Sequence, residues 1–233
     1  MECVSSLPWN GCPVCVEYAI RALIQQLPVA NLSKPTELAV WLALATCCRI
    51  GELTQATWQN VNLELGEWLI PAEHSKNGRP HTGYLSDFGK RHLMALHALS
   101  GTSLWCFPNR DGTGHIDVKT VNKQLSDRQR GDSTQMSRRS TDTAALILPG
   151  GKWTPHDLRR TGATMMTSLG VLPEVAEKCL NHTEEKAVRR IYQRYSYDKE
   201  KGEAWRLLGE RLDLLTSSDK NIVTMSARKA RKP

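Results

Sequence analysis

The sequence predicts a mainly α-helical domain that carries a small three-stranded antiparallel β-sheet. Two patterns predict this fold class. Long segments have the apolar spacing of helices, and one interval between them holds short segments rich in Val, Ile, Trp, Tyr and Thr. With 233 residues and a hydrophobic fraction of 40%, the chain is long enough for one domain to bury a core of ordinary size.

The N-terminal segments are predicted to be helical. Residues 16–27 (VEYAIRALIQQL) form either a first helix or the end of a linker. In SKPTELAVWLALATCC, the apolar run Leu38–Ala45 indicates a buried helix, with Ser33 and Thr36 as candidate N-caps and Pro35 in the first turn. The segment RIGELTQA continues as a second helical piece.

The three predicted strands lie in WQNVNLE, GEWLIPAE and HTGYLSD, which are short and broken by Gly or Asn. HSKNGRP joins the last two. Within it, Asn77-Gly78 indicates a hairpin because these residue types tolerate positive φ.

The C-terminal half returns to helical spacing. Helices are predicted in DFGKRHLMALHALS, VKTVNKQLSDRQR, TPHDLRRTGATMMTSLG, PEVAEKCLNH and a last region from Glu184 to Leu215. Gly170 has the position of a helix C′ residue, and Pro173 can open the next helix. GDSTQMSRRSTD is predicted to be a mobile loop and SARKARKP a disordered basic tail.

Charge and cysteine content narrow the class of protein. The 31 Lys and Arg exceed the 24 Asp and Glu, and this net charge of +7 suits nucleic acid, or equally a protein with a basic tail. Seven irregularly spaced cysteines, and no apolar run near the ~18 residues of a membrane span, predict a cytoplasmic protein with reduced thiols. Cys12 and Cys15 match C-x-x-C but lack two further zinc ligands, so we expect ordinary thiols.

The segment TPHDLRRTGAT places an imidazole and a guanidinium on one helix face. His156 and Arg159 are three residues apart, just after Pro155, which suits a first turn. Helix N-termini favour anions, Arg binds phosphate bidentately, and His exchanges protons near neutrality. The two residues could therefore converge on one phosphate. The alternative is a surface Arg159 and a capping His156.

Further basic residues fit the same chemistry. Arg49 follows an apolar helix and needs a partner, which Glu52 can supply three residues later. This is either a plain structural pair or a functional arginine. Lys76 lies near the tip of the predicted hairpin, where its side chain can reach a ligand or simply be solvated.

The segment NHTEEKAVRRIYQRYSY contains a candidate nucleophile. His182 stands at a predicted helix end, and Tyr192 follows ten residues later in a stretch that also holds Arg189, Arg190 and Arg194. Guanidinium groups favour a phenolate, which can attack phosphorus and form a covalent intermediate. The alternative is that Tyr192 packs at an interface.

In this order, these residues resemble the tyrosine recombinases, or phage-type integrases, and look most like the integrases of prophages and genomic islands. The resemblance runs from about Ser33 to about Lys199. It is carried by Arg49 in RIGEL, Lys76 in the hairpin, His156-x-x-Arg159, His182 in LNH and Tyr192.

The resemblance implies a fold and a reaction. The fold would be the tyrosine recombinase catalytic domain. Tyr192 would attack the scissile phosphate and form a 3′-phosphotyrosyl link, Lys76 would protonate the departing 5′-oxygen, and His156 would assist proton transfer at the tyrosine. One phosphodiester replaces another, so neither ATP, a metal nor another cofactor is expected.

The phosphate ligands are implied in the same way. Arg49 and Arg159 would bind the non-bridging oxygens, and His182 would hydrogen-bond the phosphate. Glu52 would support Arg49 from behind. These contacts would stabilise charge in the transition state.

The resemblance also implies partners and boundaries. The partner would be double-stranded DNA at the bacterial nucleoid, bound by homotetramers on paired sites, with a monomer as the alternative for this chain alone. We expect a linker or N-terminal helix over residues 1–32, the catalytic domain over 33–216 and the basic tail over 217–233. The DNA-binding domains that usually precede it have no room here, so we expect an isolated catalytic domain or a truncated gene.

Some positions depart from the family pattern. Cys47 stands two residues before Arg49, where a glycine is common, and Tyr195 and Tyr197 are rival nucleophiles close to Tyr192. Two alternative functions stay open: a non-catalytic DNA-binding remnant of an integrase, and an enzyme like the type IB topoisomerases.

Overall fold

The computed structural model describes residues 13–131, 137, 139–182 and 195–217. Its α-helices in this part of the chain are α1 Pro13–Gln26, α2 Lys34–Thr46, α3 Ile50–Thr54, α4 Asp87–Ser100, α5 Val118–Asp127, α6 Pro155–Ser168, α7 Pro173–Cys179 and α8 Asp198–Thr216. Short 3₁₀ turns occupy Leu27–Val29 and Trp58–Asn60. Each helix overlaps a predicted helical segment. Half of the predicted mobile loop GDSTQMSRRSTD, the predicted tail and the start of the last helical region lie outside the described residues.

The predicted three-stranded antiparallel sheet is confirmed. Its strands are β1 Val61–Asn62, β2 Glu67–Ile70 and β3 His81–Tyr84, in the order β1-β2-β3. Trp68 and Ile70 of β2 are buried and the intervening Leu69 is exposed, which is the alternation of a sheet with one face on the core.

The connection between β2 and β3 differs from the expected tight turn at Asn77-Gly78. The ladder ends at the pair Ile70–His81, so residues 71–80 form a longer loop. Pro71 and Pro80 are the first and last residues of this loop, and a proline has no N–H to extend the ladder. Gly78 has a φ of 66° as expected, but Asn77 is not in the positive-φ region.

Helix α2 is the centre of the core. Its residues from Leu38 to Thr46 are buried, and it packs against α4 and α6. Trp205 of α8 is also buried, and its indole Nε1 donates a hydrogen bond to the carbonyl of Thr46 (3.0 Å). Because other helices enclose α2, its sequence is apolar on all sides of the helix.

Helix α1 packs against α6 and α8, and Glu17 on it forms an ion pair with Arg211. The boundary placed at residue 33 remains a prediction, as does the one at residue 216. In the described part of the chain, no helix combines the length and apolar composition needed to cross a bilayer.

The end of α2 lies against a glycine of α6. Cys47 terminates α2 with a φ of 55°, in the left-handed region that favours glycine. A Cβ on Gly162 would lie 2.5 Å from Cys47 Sγ and 2.9 Å from the carbonyl oxygen of Leu44. Only a residue without a side chain permits this approach of α6 to α2.

Gly162→Ala is therefore expected to destabilise the domain by about 1–3 kcal/mol, the usual cost of overpacking, because backbone as well as side chain must shift. The free energy of unfolding in urea measures this. Gly89→Ala is the matched control, since its Cβ would meet only ordinary contacts, the nearest at 3.7 Å. Equal stability of the two variants would show that α2 and α6 are not closely packed at Gly162.

Candidate active site

Arg49 lies at the N-terminus of α3 and is held by Glu52. The backbone N–H of Arg49 donates to Glu52 Oε2 at 2.9 Å, and its Nη1 donates to Oε1 at 2.8 Å. Glu52 is 4% exposed, whereas the Arg49 side chain is 23% exposed. A carboxylate in the first turn of a helix is favourable in itself. Glu52 thus fixes Arg49 from the protein side and leaves part of the guanidinium accessible.

Arg159 is buried and joins two helix ends. It lies in α6 and is 2% exposed. Its Nη1 donates to the carbonyl of Cys47, after α2, at 2.6 Å, and its Nη2 donates to the carbonyl of Leu180, after α7. Carbonyls at helix C-termini lack intrahelical donors and carry partial negative charge, so they are suitable partners for a guanidinium.

Glu52 forms an ion pair with Arg49, and its negative charge also acts on Arg159. Burial lowers the pKa of Arg159, the nearby charge of Arg49 lowers it further, and Glu52 opposes them. Within the described residues, Arg159 forms no ion pair of its own. A buried cation without a full counter-charge is costly, and an anion bound there would relieve the cost.

His156 stands one turn before Arg159 and is solvent-exposed. Partial desolvation lowers the pKa of His156, and the charges of Arg159 and Arg49 add to the effect. A neutral imidazole at pH 7 can accept a proton. His156 does not cap α6, because the carboxylate of Asp157 receives the N–H and hydroxyl of Thr154 at 2.9 and 2.7 Å.

His182 follows the end of α7 and belongs to the same cluster. Leu180, two residues earlier, supplies the carbonyl that binds Arg159. His182 is exposed, and its Nδ1 hydrogen-bonds the carboxylate of Glu177. In the described part of the chain, Nε2 of His182 makes no hydrogen bond.

Lys76 lies in the loop between β2 and β3 and is exposed. Its neighbours Ser75 and Asn77 hydrogen-bond the side chain of Asn181, which precedes His182. The loop therefore brings Lys76 to the turn that also carries His182. In the described part of the protein, the Lys76 ammonium makes no hydrogen bond or ion pair.

Tyr192 lies outside the described residues, as do Arg189, Arg190 and Arg194. The rival Tyr195 is 59% exposed, and its hydroxyl donates to the carboxylate of Glu200 at 3.1 Å. This hydrogen bond and the negative charge of Glu200 raise the pKa of Tyr195. Its phenolate is disfavoured, which makes Tyr195 a poor nucleophile in this arrangement.

His81 is a residue of this region that the sequence did not single out. It opens β3 and lines the same small cavity as Glu52 and Arg159. Burial and the charge of Lys201 lower the pKa of His81 to about 4, against the opposing charge of Glu52. The alternation of HTGYLSD could have placed His81 on one face with Gly83, but not beside an arginine far along the chain.

A cleft of about 450 Å³ opens beside His156. Lys119 and Lys123 of α5 and Trp153 before α6 are among the residues that line it. The cleft places the two lysines beside His156, over a largely buried tryptophan. Among the described residues, no group of three or more His, Cys, Asp or Glu is placed to hold a metal ion. The expected independence of metal remains a prediction.

The fold is that of a tyrosine recombinase catalytic domain. The integrase from mycobacterium phage Brujita matches 84% of this chain and 62% of its own, with 18% identity and a TM-score of 0.58. XerA recombinase matches 76% of this chain and 62% of its own, with 19% identity and a TM-score of 0.51. At these identities the likeness concerns the fold alone.

The chain belongs to the phage integrase family, whose family model matches residues 16–199. The prophage integrase IntA of Escherichia coli K12 is 30% identical over 176 residues, or 75% of this chain. IntZ of the same organism is 25% identical over 186 residues, or 79% of this chain. The chain spans 38% of IntA and 41% of IntZ, less than half the length of either. The resemblance predicted from the sequence is thereby confirmed.

The low pKa of His81 predicts a specific dependence of stability on pH. Unfolded His81 binds a proton near pH 6.5 and folded His81 near pH 4, so the unfolded state holds more protons between these values. The free energy of unfolding should therefore fall as the pH drops from 6.5 towards 4, by up to about 1.4 kcal/mol per pH unit. Above pH 6.5 the contribution is complete.

His81→Gln should remove this part of the slope. Urea unfolding of both proteins at several pH values measures it, and the difference cancels contributions from other histidines. Identical slopes would mean that His81 is hydrated in the folded protein.

Proposed function

We propose that this chain is the catalytic part of a site-specific DNA recombinase. It cleaves and rejoins DNA strands through a 3′-phosphotyrosyl intermediate, for the integration or excision of a prophage or genomic island. The observation that carries the proposal is the pair Arg49 and Arg159: Glu52 forms an ion pair with Arg49, and in the described part of the chain the buried Arg159 has no ion pair. The names of IntA and IntZ, both prophage integrases, support the biological setting.

The arginine pair suits the charge that develops in phosphoryl transfer. In the transition state, negative charge spreads over the non-bridging oxygens, and fixed positive groups stabilise it. Arg49 and Arg159 take this role in the proposal, and His182 donates a further hydrogen bond. A donor of this kind is typically worth about 3 kcal/mol of barrier, or about 100-fold in rate.

The proposed proton transfers balance the reaction. The phenolic oxygen of Tyr192 forms a bond to phosphorus as the bond to the 5′-oxygen breaks. His156 receives the tyrosine proton, and Lys76 gives a proton to the departing oxygen. Rejoining reverses these steps with a new 5′-hydroxyl. No bond energy is lost, so the proposal requires neither ATP nor a metal.

Double-stranded DNA is the proposed partner. The net charge of +7 and the basic cleft lined by Lys119 and Lys123 support contacts to the phosphate backbone on one side of the scissile phosphate. The loop with Lys76 would contact DNA from the other side. Homotetramers on paired sites are proposed for the whole protein, and a monomer for this chain alone.

The nucleophile can be tested by trapping the covalent intermediate. Duplex DNA nicked close to the scissile phosphate loses the short 5′-hydroxyl fragment after cleavage, so the protein stays attached and the adduct resists SDS. We expect an adduct from the parent protein on attachment-site DNA, undiminished by EDTA. Tyr192→Phe should give none, and the matched control Tyr195→Phe should behave as the parent. Arg49→Ala and Arg159→Ala should each slow formation about 100-fold or more.

An adduct from Tyr192→Phe would show that the nucleophile is misassigned. No adduct from the parent protein on its attachment site would contradict a catalytic function and favour a DNA-binding remnant.

DNA affinity should fall steeply with salt, because each Lys or Arg contact to a phosphate releases counterions. The double variant Lys119→Ala/Lys123→Ala should bind DNA more weakly and reduce the slope of log affinity against log salt by about 1–2. Lys34→Ala is the control. Lys34 pairs with Glu37 and is the first residue of α2, at the end of that helix opposite the candidate active site. Fluorescence anisotropy at several salt concentrations measures the slopes. An unchanged slope for the double variant would remove the cleft from the DNA interface.

A further inference from the structure

Three side chains fasten the loop of residues 71–80 to the turn after α7. Asn77 Nδ2 donates to Asn181 Oδ1 at 3.0 Å and to the Asn181 carbonyl at 3.1 Å. Asn181 Nδ2 donates to Ser75 Oγ at 3.0 Å, and Ser75 Oγ donates to Asn77 Oδ1 at 2.8 Å. We call Ser75, Asn77 and Asn181 the asparagine clamp. It joins two segments more than a hundred residues apart, as the separation of 104 between the asparagines shows.

The amide of Asn181 is needed for this contact, and its backbone alone does not explain the residue type. Asn181 has a φ of 49°, a conformation in which glycine is the residue of least strain after a helix. Here the asparagine amide both donates and accepts across the clamp, which glycine cannot do. Ser75 is 7% exposed, so its hydroxyl has little access to water and depends on these partners.

The clamp encloses Lys76. Ser75 precedes this lysine and Asn77 follows it, so the backbone is fixed on both sides while the ammonium itself is exposed and unbonded in the described part of the chain. The partner residue Asn181 lies between Leu180, whose carbonyl binds Arg159, and His182. The clamp therefore fixes the backbone position of Lys76 relative to the groups proposed to bind the phosphate.

A fixed backbone position has a large effect on the rate at which a lysine can donate a proton. A lysine carries about 2 kcal/mol of side-chain rotational entropy, and a mobile loop would add the freedom of its backbone. Misplacement of a reacting group by about 1 Å can cost about 100-fold in rate. A loop of this length with only its strand ends fixed would leave the ammonium in many positions.

We propose that Asn77 and Asn181, with Ser75, are positioning residues that hold Lys76 at the departing 5′-oxygen. This inference rests on the proposed function. It predicts that loss of the clamp affects one chemical event, protonation of the leaving group, rather than DNA binding or attack on phosphorus.

The leaving group itself supplies the test. A substrate with sulfur in place of the bridging 5′-oxygen releases a thiolate, whose conjugate acid has a pKa near 8.5, so protonation is no longer needed. Two variants remove the clamp with little disturbance. Asn77→Ala removes the Nδ2 donor and the Oδ1 acceptor without adding a charge beside Lys76, and Asn181→Gly suits the positive φ. Glu73→Ala, on the same loop, is the control.

On the oxygen substrate, Asn77→Ala and Asn181→Gly should lower the single-turnover cleavage rate about 10- to 100-fold, with DNA affinity unchanged. On the sulfur substrate both should cleave within about threefold of the parent, and Lys76→Ala should show the same pattern. Glu73→Ala should match the parent on both substrates.

The outcomes separate the inference from the proposed function. If the asparagine variants are equally slow on both substrates, or cleave the oxygen substrate at the parent rate, the clamp does not position the acid and the inference is overturned. If Lys76→Ala is not restored by sulfur, the proposed role of Lys76 fails instead.

Discussion

The hydrogen bonds of the buried Arg159 guanidinium are the constraint on which the rest of this site depends. One side of the guanidinium binds the carbonyl of Cys47 at the end of α2, and the other binds the carbonyl of Leu180 at the end of α7. The guanidinium of Arg159 thereby holds together two helix ends that are distant in sequence. Glu52 neutralises Arg49 more directly than Arg159, so positive charge remains in the interior of the domain. Such an arrangement costs free energy in the unliganded protein and is relieved by an anion.

Local features of the chain follow from this contact. The carbonyl of Cys47 can point at Arg159 because α2 ends there in a left-handed turn, and Gly162 lets α6 approach that turn. A glycine at position 47, two residues before Arg49, would suit the same backbone conformation. The turn of residues 180–182 makes three contacts through successive residues. The first residue binds Arg159 through its carbonyl, the second binds the loop that carries Lys76, and the third binds Glu177. The carbonyls that end α2 and α7 therefore serve both the packing of the helices and the placement of Arg159 in the proposed active site.

Patterns of short range could be predicted from the sequence, and contacts between distant segments could not. Helical and strand periods predicted the helices and the sheet. The spacing of three residues predicted the Arg49–Glu52 pair and placed His156 and Arg159 in successive turns of one helix. The hairpin was recognised, but its length was not, because two prolines outweigh the turn preference of Asn77-Gly78. The carbonyl partners of Arg159, the burial of His81 and the asparagine clamp all depend on tertiary contacts, the first across 112 residues. No local pattern records such contacts.

The central claim, that the arginine pair exists to bind a negatively charged phosphate, can be measured on a substrate without that charge. A methylphosphonate at the scissile position replaces one non-bridging oxygen by a methyl group and makes the linkage neutral. On ordinary DNA, Arg159→Ala should cleave about 100-fold more slowly than the parent, and on the methylphosphonate the deficit should shrink to less than about 10-fold. An equal deficit on both substrates would mean that Arg159 maintains the fold rather than the charge balance of the reaction, and would contradict this account.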